Sequence, residues 1–182
     1  MINNKLELTW VGKYDNKEIE PRILIENKDK SFGDENTENM LIHGDNLLAL
    51  KALEKQFTNK IKCIYIDPPY NTGSAFEQYD DNLEHSIWLN LMNQRLKLLH
   101  KLLKEDGVIF IQIDNNEFAY LKIICDEIFG RSNFVSNITC KVKAPSGVAS
   151  GSQMIFDCSE YILIYAKDKT NEQVEAPNQS FM

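Results

Sequence analysis

Apolar and polar positions along the middle of the chain repeat in patterns typical of packed strands and helices. Short apolar runs indicate buried strands, and apolar residues spaced three and four positions apart indicate helices with one buried face. The predicted elements are strands at 40–42, 63–66 and 108–113 and helices at 46–57 and about 83–103. Strand, helix and strand in immediate succession predict a βαβ unit, whose two strands should be parallel.

Polar residues at the ends of these runs predict where each element begins or stops. Asp45 is a plausible N-cap for the first helix. Asp106-Gly107 should break the chain between the long helix and the strand that follows. Asp114 with Glu117 three positions later predicts a capping box, and Gly130 should end the helix that it opens.

The end of the chain predicts an antiparallel hairpin. Strand patterns at 134–142 and 161–166 flank a loop rich in small residues, 144–152. Residues 1–38 are polar and predict an arm with weak local structure, and residues 168–182 predict a polar tail. Helices alternating with strands over the remainder predict the α/β fold class.

Composition narrows the class of protein. The 182 residues suit one domain, and 43% hydrophobic residues are typical of globular chains rather than disordered or fibrous ones. The longest apolar runs fall far short of the roughly 18 residues that cross a membrane, and the N-terminus lacks a signal-peptide pattern. The four cysteines have no close spacing, so we expect reduced thiols and a cytoplasmic protein without membrane contact.

Charge does not by itself predict a nucleic-acid partner. The net charge is −7, and only residues 131–167 carry an excess of basic side chains. Phosphate neutralisation by Lys and Arg supplies most non-specific affinity for nucleic acids. By its charge, this chain alone is therefore not an obvious nucleic-acid binder.

Asp67-Pro68-Pro69-Tyr70 is the segment most suggestive of chemistry, because it follows a predicted buried strand. Its simplest interpretation is a strand-to-turn break, in which the prolines stop strand pairing. A more specific interpretation uses the missing proline N–H groups, which leave the Asp67 carboxylate and the Pro68 carbonyl as adjacent, stiffly held acceptors. Two acceptors can hold one amino group, and Tyr70 offers a ring on which a planar base can stack.

The motif and its surroundings resemble the amino-group DNA methyltransferases, in particular the β group that includes the modification subunit of type III restriction–modification systems. The similar stretches are 41–47, 64–73, Trp88 with 106–111, and 160–167. The Asp-Pro-Pro-Tyr form is mostly associated with adenine N6. The resemblance covers about 39–167, and the first 38 residues contribute little to it.

This resemblance implies a partial Rossmann-like fold with a mainly parallel sheet and a catalytic part at 39–167. It implies that Asp67 and the Pro68 carbonyl hold the adenine N6 amino group, that Pro69 stiffens the turn, and that Tyr70 stacks on the flipped-out base. The cofactor would be S-adenosylmethionine, with Asp45 and Asp67 on its side of the site. For Asp45, a role as the helix N-cap is at least as good an interpretation as a role beside the cofactor, and both roles are compatible.

Other residues carry weaker predictions. Asn71, Lys141 and Lys143 are candidates for DNA contacts, although two lysines on a hairpin are as often only a solvated edge. Phe134 lies where some relatives place a second stacking ring, but a core role is the better interpretation.

Metal and thiol chemistry are not predicted. The three histidines have no metal-ligand spacing, so no metal site is expected. No cysteine follows a proline, which argues against the cytosine-C5 chemistry, since that family's nucleophilic cysteine does.

One family feature is absent from the 182 residues: the Phe-x-Gly-x-Gly loop that binds the methionine part of the cofactor. We therefore expect an N-terminal portion of a methyltransferase that exposes unpaired strand edges and, in isolation, binds cofactor weakly and is inactive. Double-stranded DNA, a restriction subunit and a second methyltransferase subunit are the partners that the resemblance implies. Cytosine-N4 methylation and a non-catalytic role in an assembly are the alternatives.

Overall fold

The computed structural model describes residues 7–15, 19–20, 22–34, 37–71, 85–142 and 158–171. Within these ranges, three α-helices and four strands form the body. They are α1 (Asn46–Phe57), β1 (Ile61–Ile66), α2 (His85–Leu102), β2 (Leu103–Ile113), α3 (Phe118–Cys125), β3 (Phe134–Lys141) and β4 (Ser159–Ala166). A π-helical turn at Asp126–Gly130 continues α3, and 3₁₀ turns lie at Lys28–Lys30, Arg131–Asn133 and Lys169–Asn171.

The four strands form one sheet in the order β1-β2-β4-β3. β1 and β2 are parallel, whereas β4 is antiparallel to both β2 and β3. The α/β class and the terminal hairpin are thus confirmed: among the described strands β1, β2 and β3 run in one direction, and β4 runs against them. This topology brings the carboxyl ends of β1, β2 and β3 to the same edge as the amino end of β4.

The core lies between α2, α3 and one face of this sheet. Side chains of β2 alternate, so that Ile109, Ile111 and Ile113 are fully buried beneath the helices. Helix α2 contributes Trp88 and Met92 to the same cluster, as its three-and-four spacing predicted. The opposite face, which carries Tyr65, is less buried.

The predicted strand at 40–42 is wrong, and with it the predicted βαβ unit. These residues are extended coil, with Met40 58% and Leu41 100% exposed. A three-residue apolar run becomes a strand only beside a partner, and the strand β1 pairs with β2 alone among the described residues. Within the described ranges, no strand lies against the other edge of β1.

Asp106-Gly107 interrupts the chain inside β2 rather than before the strand, as a break in its register with β1. Strand β2 begins at Leu103, directly after α2, and its register with β1 shifts between Ile61 and Cys63. A Cβ on Gly107 would lie 2.8 Å from the Lys104 carbonyl oxygen and 2.9 Å from that of Ile61. The glycine therefore permits both the irregular path of its own chain after Lys104 and the close approach of β1 at Ile61.

The predicted capping box is also wrong, whereas Gly130 does lie at the end of α3 and its π-helical extension. The Asp114 carboxylate accepts from the Asn116 N–H at 2.9 Å, and Glu117 makes no side-chain cap to α3. Gly130 has φ +89°, in the left-handed region that favours glycine.

Residues 7–15, within the predicted arm, contact the body closely. The Trp10 indole donates to Asn90 of α2 at 2.8 Å, and the Lys13 ammonium pairs with Glu127 at 2.7 Å. Glu127 also accepts from the Leu8 N–H at 2.7 Å. The domain boundaries at 38/39 and 167/168 stay predictions.

No helix within the described ranges combines the length and the apolar character that a membrane span requires.

Candidate active site

The Asp-Pro-Pro-Tyr segment lies where β1 ends, at the sheet edge described above. Strand β1 stops at Ile66, and Asp67 is exposed while Pro68, Pro69 and Tyr70 are half-buried. A proline cannot donate to a neighbouring strand, so two in succession end the pairing here. The turn therefore exposes the acidic side chain of Asp67 to solvent, while the three residues that follow are partly buried.

Helix α2 holds this turn in place through the side chain of Trp88. Trp88 is fully buried, and its indole N–H donates to the Pro69 carbonyl oxygen at 2.8 Å. That bond satisfies the carbonyl of Pro69, whereas no hydrogen bond between described residues uses the carbonyl of Pro68. The Pro68 oxygen and the Asp67 carboxylate are thus acceptors on a fixed backbone, and the carboxylate already interacts with the Tyr70 hydroxyl.

Tyr70 is held at its hydroxyl by residues of the sheet. Its O–H donates to Glu160 at 3.1 Å, and Gln112 donates to the same Glu160 oxygen at 2.7 Å. Tyr65 on β1 continues this chain by donating to the Gln112 side-chain oxygen. These bonds join β1, β2 and β4 on the less buried face of the sheet.

The phenol of Tyr70 is protonated throughout the physiological range. Burial, then the negative charge of Asp67 and the hydrogen bond to Glu160, raise the pKa of Tyr70 far above its ordinary value. A neutral ring with a fixed hydroxyl is suited to stacking, because its plane is set before a base arrives.

Asn71 and Glu117 form a second, inward contact beside the motif. The Asn71 amide donates to the Glu117 carboxylate at 2.7 Å, and His85 contacts the same oxygen at 2.9 Å. No local sequence signal connects these three residues, since they are far apart in the chain and the spacing around Glu117 predicts a helix cap instead.

Asp45 is the N-cap of α1, as predicted. One carboxylate oxygen accepts from the Leu47 and Leu48 N–H groups at 2.9 and 3.1 Å. The other lies 3.9 Å from the Arg95 guanidinium, and the side chain is 55% exposed. The cap leaves one oxygen accessible, so a role beside the cofactor stays a prediction.

The residues predicted to contact DNA are only partly described. Lys141 is exposed at the carboxyl end of β3, which topology places at the same sheet edge as the motif. Lys143 lies outside the described residues. Asn71 is half-buried, with its amide nitrogen turned to Glu117. Phe134 packs against Tyr165 at the core, with ring centroids 5.4 Å apart, as the core interpretation predicted.

Among the described side chains, no group of three or more His, Cys, Asp and Glu residues is arranged to hold a metal ion.

The model of one protein family matches this chain over residues 61–181, which is more than half of its length. That family is described as DNA methylase and comprises the N6 and N4 methyltransferases. The chain belongs to this DNA methylase family. The resemblance inferred from the motif is therefore confirmed at the level of the family.

Curated relatives include modification subunits of restriction–modification systems. The chain is 48% identical over 134 residues to the probable type III restriction-modification enzyme HindVI Mod subunit of Haemophilus influenzae, covering 72% of this chain and 18% of that protein. It is 35% identical over 201 residues to the type III EcoP15I Mod subunit of Escherichia coli, covering 89% of this chain and 30% of that protein. The chain thus spans less than a third of the length of either relative.

The crystal structure of TTHA0409 from Thermus thermophilus, a candidate DNA modification methylase, shares the fold. It superposes with a TM-score of 0.50 at 17% identity, over 75% of this chain and 56% of that one. This similarity supports the partial Rossmann-like fold of the family and nothing about the reaction.

Proposed function

We propose that the chain holds the target base for S-adenosylmethionine-dependent methylation of DNA at adenine N6. The observation that carries the proposal is the turn after β1. There the exposed Asp67 carboxylate and the Pro68 carbonyl are neighbouring acceptors. Trp88 of α2 holds the backbone of this turn through its bond to the Pro69 carbonyl.

The two acceptors suit the two hydrogens of one exocyclic amino group. In adenine, the N6 lone pair is delocalised into the ring and is a poor nucleophile. Hydrogen bonds from N6 to Asp67 and to the Pro68 carbonyl would hold the amine in one orientation and favour the positive charge that develops on nitrogen. The carboxylate stabilises the developing positive charge, and the carbonyl helps to fix the orientation of the amino group. The amine can then attack the methyl group directly, so no covalent intermediate with the protein is required.

Tyr70 would supply the stacking surface for a base outside the duplex. Extruding a base costs a few kcal/mol, and stacking on an aromatic ring returns about 1–3 kcal/mol. The bond from Tyr70 to Glu160 fixes the ring in advance, which reduces the ordering needed when the base enters.

The residues present fit only one side of the proposed cofactor. S-adenosylmethionine would supply an electrophilic methyl group on a sulfonium. Asp67 would face it from the motif, and the accessible oxygen of Asp45 could accept a hydrogen bond from its adenosine part. We further propose that the 182-residue chain by itself binds the cofactor weakly, because its sequence lacks the glycine-rich loop. A micromolar dissociation constant by isothermal titration would contradict this.

We infer that double-stranded DNA is the substrate, with Lys141, Lys143 and Asn71 as candidate contacts. Because relatives are named Mod subunits, we also propose a restriction subunit and a second methyltransferase subunit as partners. The cytoplasm, where bacterial DNA lies, is the proposed location.

Nucleoside analysis tests the proposal directly. The complete product of the native gene is expressed in a bacterial host that lacks adenine and cytosine-N4 methylation, and its DNA is digested to nucleosides. N6-methyladenine above the empty-vector level supports the proposal. Detection of N4-methylcytosine instead would show that cytosine is the target. Absence of both methylated nucleosides would favour a non-catalytic role in an assembly.

A further inference from the structure

Glu117 is a buried carboxylate that joins two segments of the site. Its side chain is 3% exposed and lies at the start of α3. One oxygen accepts from the Asn71 amide at 2.7 Å and contacts Nδ1 of His85 at 2.9 Å. Asn71 directly follows the Asp67–Tyr70 turn, and His85 begins α2.

Asn71 has a backbone conformation that needs such support. Its φ of +58° lies in the left-handed region, where asparagine is tolerated better than most residues but still at a cost. A side-chain bond to a fixed, buried carboxylate holds the residue in that conformation. Because Asn71 is bonded covalently to Tyr70, holding Asn71 in place restrains the carboxyl end of the Asp67–Tyr70 turn.

His85 is a second contact of the Glu117 oxygen that Asn71 uses. Its ring packs edge-on against Tyr120 of α3, with centroids 4.2 Å apart. The imidazole is thus held by α3 and contacts the oxygen that Asn71 uses. Two contacts to one oxygen leave Glu117 little freedom to rotate away from Asn71.

Stability alone does not account for a carboxylate at this position. The second Glu117 oxygen and Nε2 of His85 are buried without a hydrogen-bond partner among the described residues. A buried polar atom without a partner is destabilising. Glu117 also provides no side-chain cap to α3, so its local role in the helix is not the explanation.

We propose that Glu117 is a positioning residue for the methyl transfer described above, acting through Asn71 on the Asp67–Tyr70 turn. Its side chain is buried against Asn71 and His85, so its role would be indirect. The proposal rests on the proposed function for its consequence in catalysis, but its structural part concerns the geometry of the turn and can be tested separately.

Two substitutions at Glu117 separate positioning from charge. In Glu117→Gln the amide oxygen can still accept from Asn71, and its NH₂ replaces the oxygen that has no partner. In Glu117→Leu a somewhat larger apolar side chain fills the position and the bond is lost. We expect Glu117→Gln to retain kcat within about threefold, and Glu117→Leu to lower kcat about 10- to 100-fold with KM for DNA nearly unchanged.

The matched control is Glu54→Gln. Glu54 also joins two donors, Lys51 at 2.6 Å and Lys101 at 2.8 Å, but it lies on α1. This variant should keep kcat. A loss of kcat in Glu54→Gln equal to that in Glu117→Leu would show a general effect on folding and would overturn the proposal.

A double-mutant cycle with Asn71→Ala tests the route of the effect. If Glu117 acts through Asn71, Glu117→Leu should lower kcat less than about twofold once Asn71 is alanine. Effects that multiply independently would overturn the proposal, as would a rise in KM at constant kcat.

NMR distinguishes failure of this inference from failure of the proposed function. In the folded 182-residue chain, Glu117→Leu should move the side-chain amide resonances of Asn71 to solvent-like values and shift the backbone amides of Tyr70 and Asn71. Glu54→Gln should leave these signals in place. Unmoved signals in folded Glu117→Leu would overturn the positioning role even if the wild-type protein methylates DNA. Moved signals in a protein that methylates nothing would overturn its link to catalysis.

Discussion

The Trp88 indole N–H donates to the Pro69 carbonyl oxygen at 2.8 Å, and this bond connects helix α2 to the turn that carries the motif. Trp88 is fully buried in the main core cluster. The position of the turn is therefore set by the same packing that stabilises the domain. Helix α2 thus acts as the rigid support of the acceptor pair.

Replacing Trp88 by phenylalanine should weaken both folding and activity. The change leaves the Pro69 carbonyl without its donor, which typically costs about 1–3 kcal/mol of unfolding free energy. We expect at least about a tenfold fall in kcat, because the turn loses its anchor. Chemical denaturation and methyl-transfer kinetics measure the two effects. Trp10→Phe is the control, since the Trp10 indole bonds Asn90 away from the motif, and unchanged kcat is expected there.

Substitutions of Asp45 should separate its cap from a cofactor role. Asp45→Ala removes the acceptor of two N–H groups and should cost about 0.5–2 kcal/mol of unfolding free energy. Asp45→Asn keeps a good cap and removes the charge, so stability should change little. If Asp45 also faces the cofactor, Asp45→Asn should weaken S-adenosylmethionine binding by the complete gene product. Unchanged binding would leave only the cap.

The contribution of Tyr70 should reside mainly in its ring. Loss of stacking in Tyr70→Ala should weaken capture of an extruded base by about 1–3 kcal/mol. Tyr70→Phe keeps the ring and loses the bond to Glu160, so a smaller loss of about 0.5–1.5 kcal/mol is expected. Fluorescence of 2-aminopurine at the target position of the DNA measures base extrusion in both variants. Equal losses in the two variants would argue against stacking.

Acid should destabilise the fold through His100. Burial first, then the charge of Lys167, lower the pKa of His100 to about 4, whereas the unfolded histidine titrates near 6.5. Between these values the unfolded chain binds more protons, so stability falls as pH decreases, by less than about 1.4 kcal/mol per pH unit. His100→Phe can keep the edge-on ring contact with Phe129 and should flatten this dependence. Denaturation at several pH values from 7 to 4.5 checks it, and an identical slope in wild type and variant would refute the assignment.

The sequence predicted well what depends on neighbours in the chain. The Asp45 cap, the bounds of α1 and the face of α2 follow from local spacing, and the structure confirms them. The Asp-Pro-Pro-Tyr turn was located for the same reason, because proline chemistry is local. The roles proposed for its side chains stay predictions.

What the sequence missed depends on contacts between distant elements. The prediction of a strand at 40–42 was wrong because no neighbouring strand pairs with these residues among those described, and a local sequence pattern does not reveal such a partner. Glu117 matches a capping box in sequence, yet its side chain turns toward Asn71 and His85. Glu160 reaches Tyr70 only because β4 lies beside β2. A buried acid beside a motif can be recognised only once the topology is known.

The acceptor role of Asp67 is the central claim, and methyl transfer by Asp67→Ala tests it most directly. The complete gene product is assayed with labelled S-adenosylmethionine and duplex DNA, beside wild type and the control Asp106→Ala, whose carboxylate contacts only lysines at the other end of β2 among the described residues. We predict that Asp67→Ala abolishes transfer while its thermal unfolding stays close to that of wild type, because Asp67 is exposed. Wild-type levels of N6-methyladenine from folded Asp67→Ala would contradict the account.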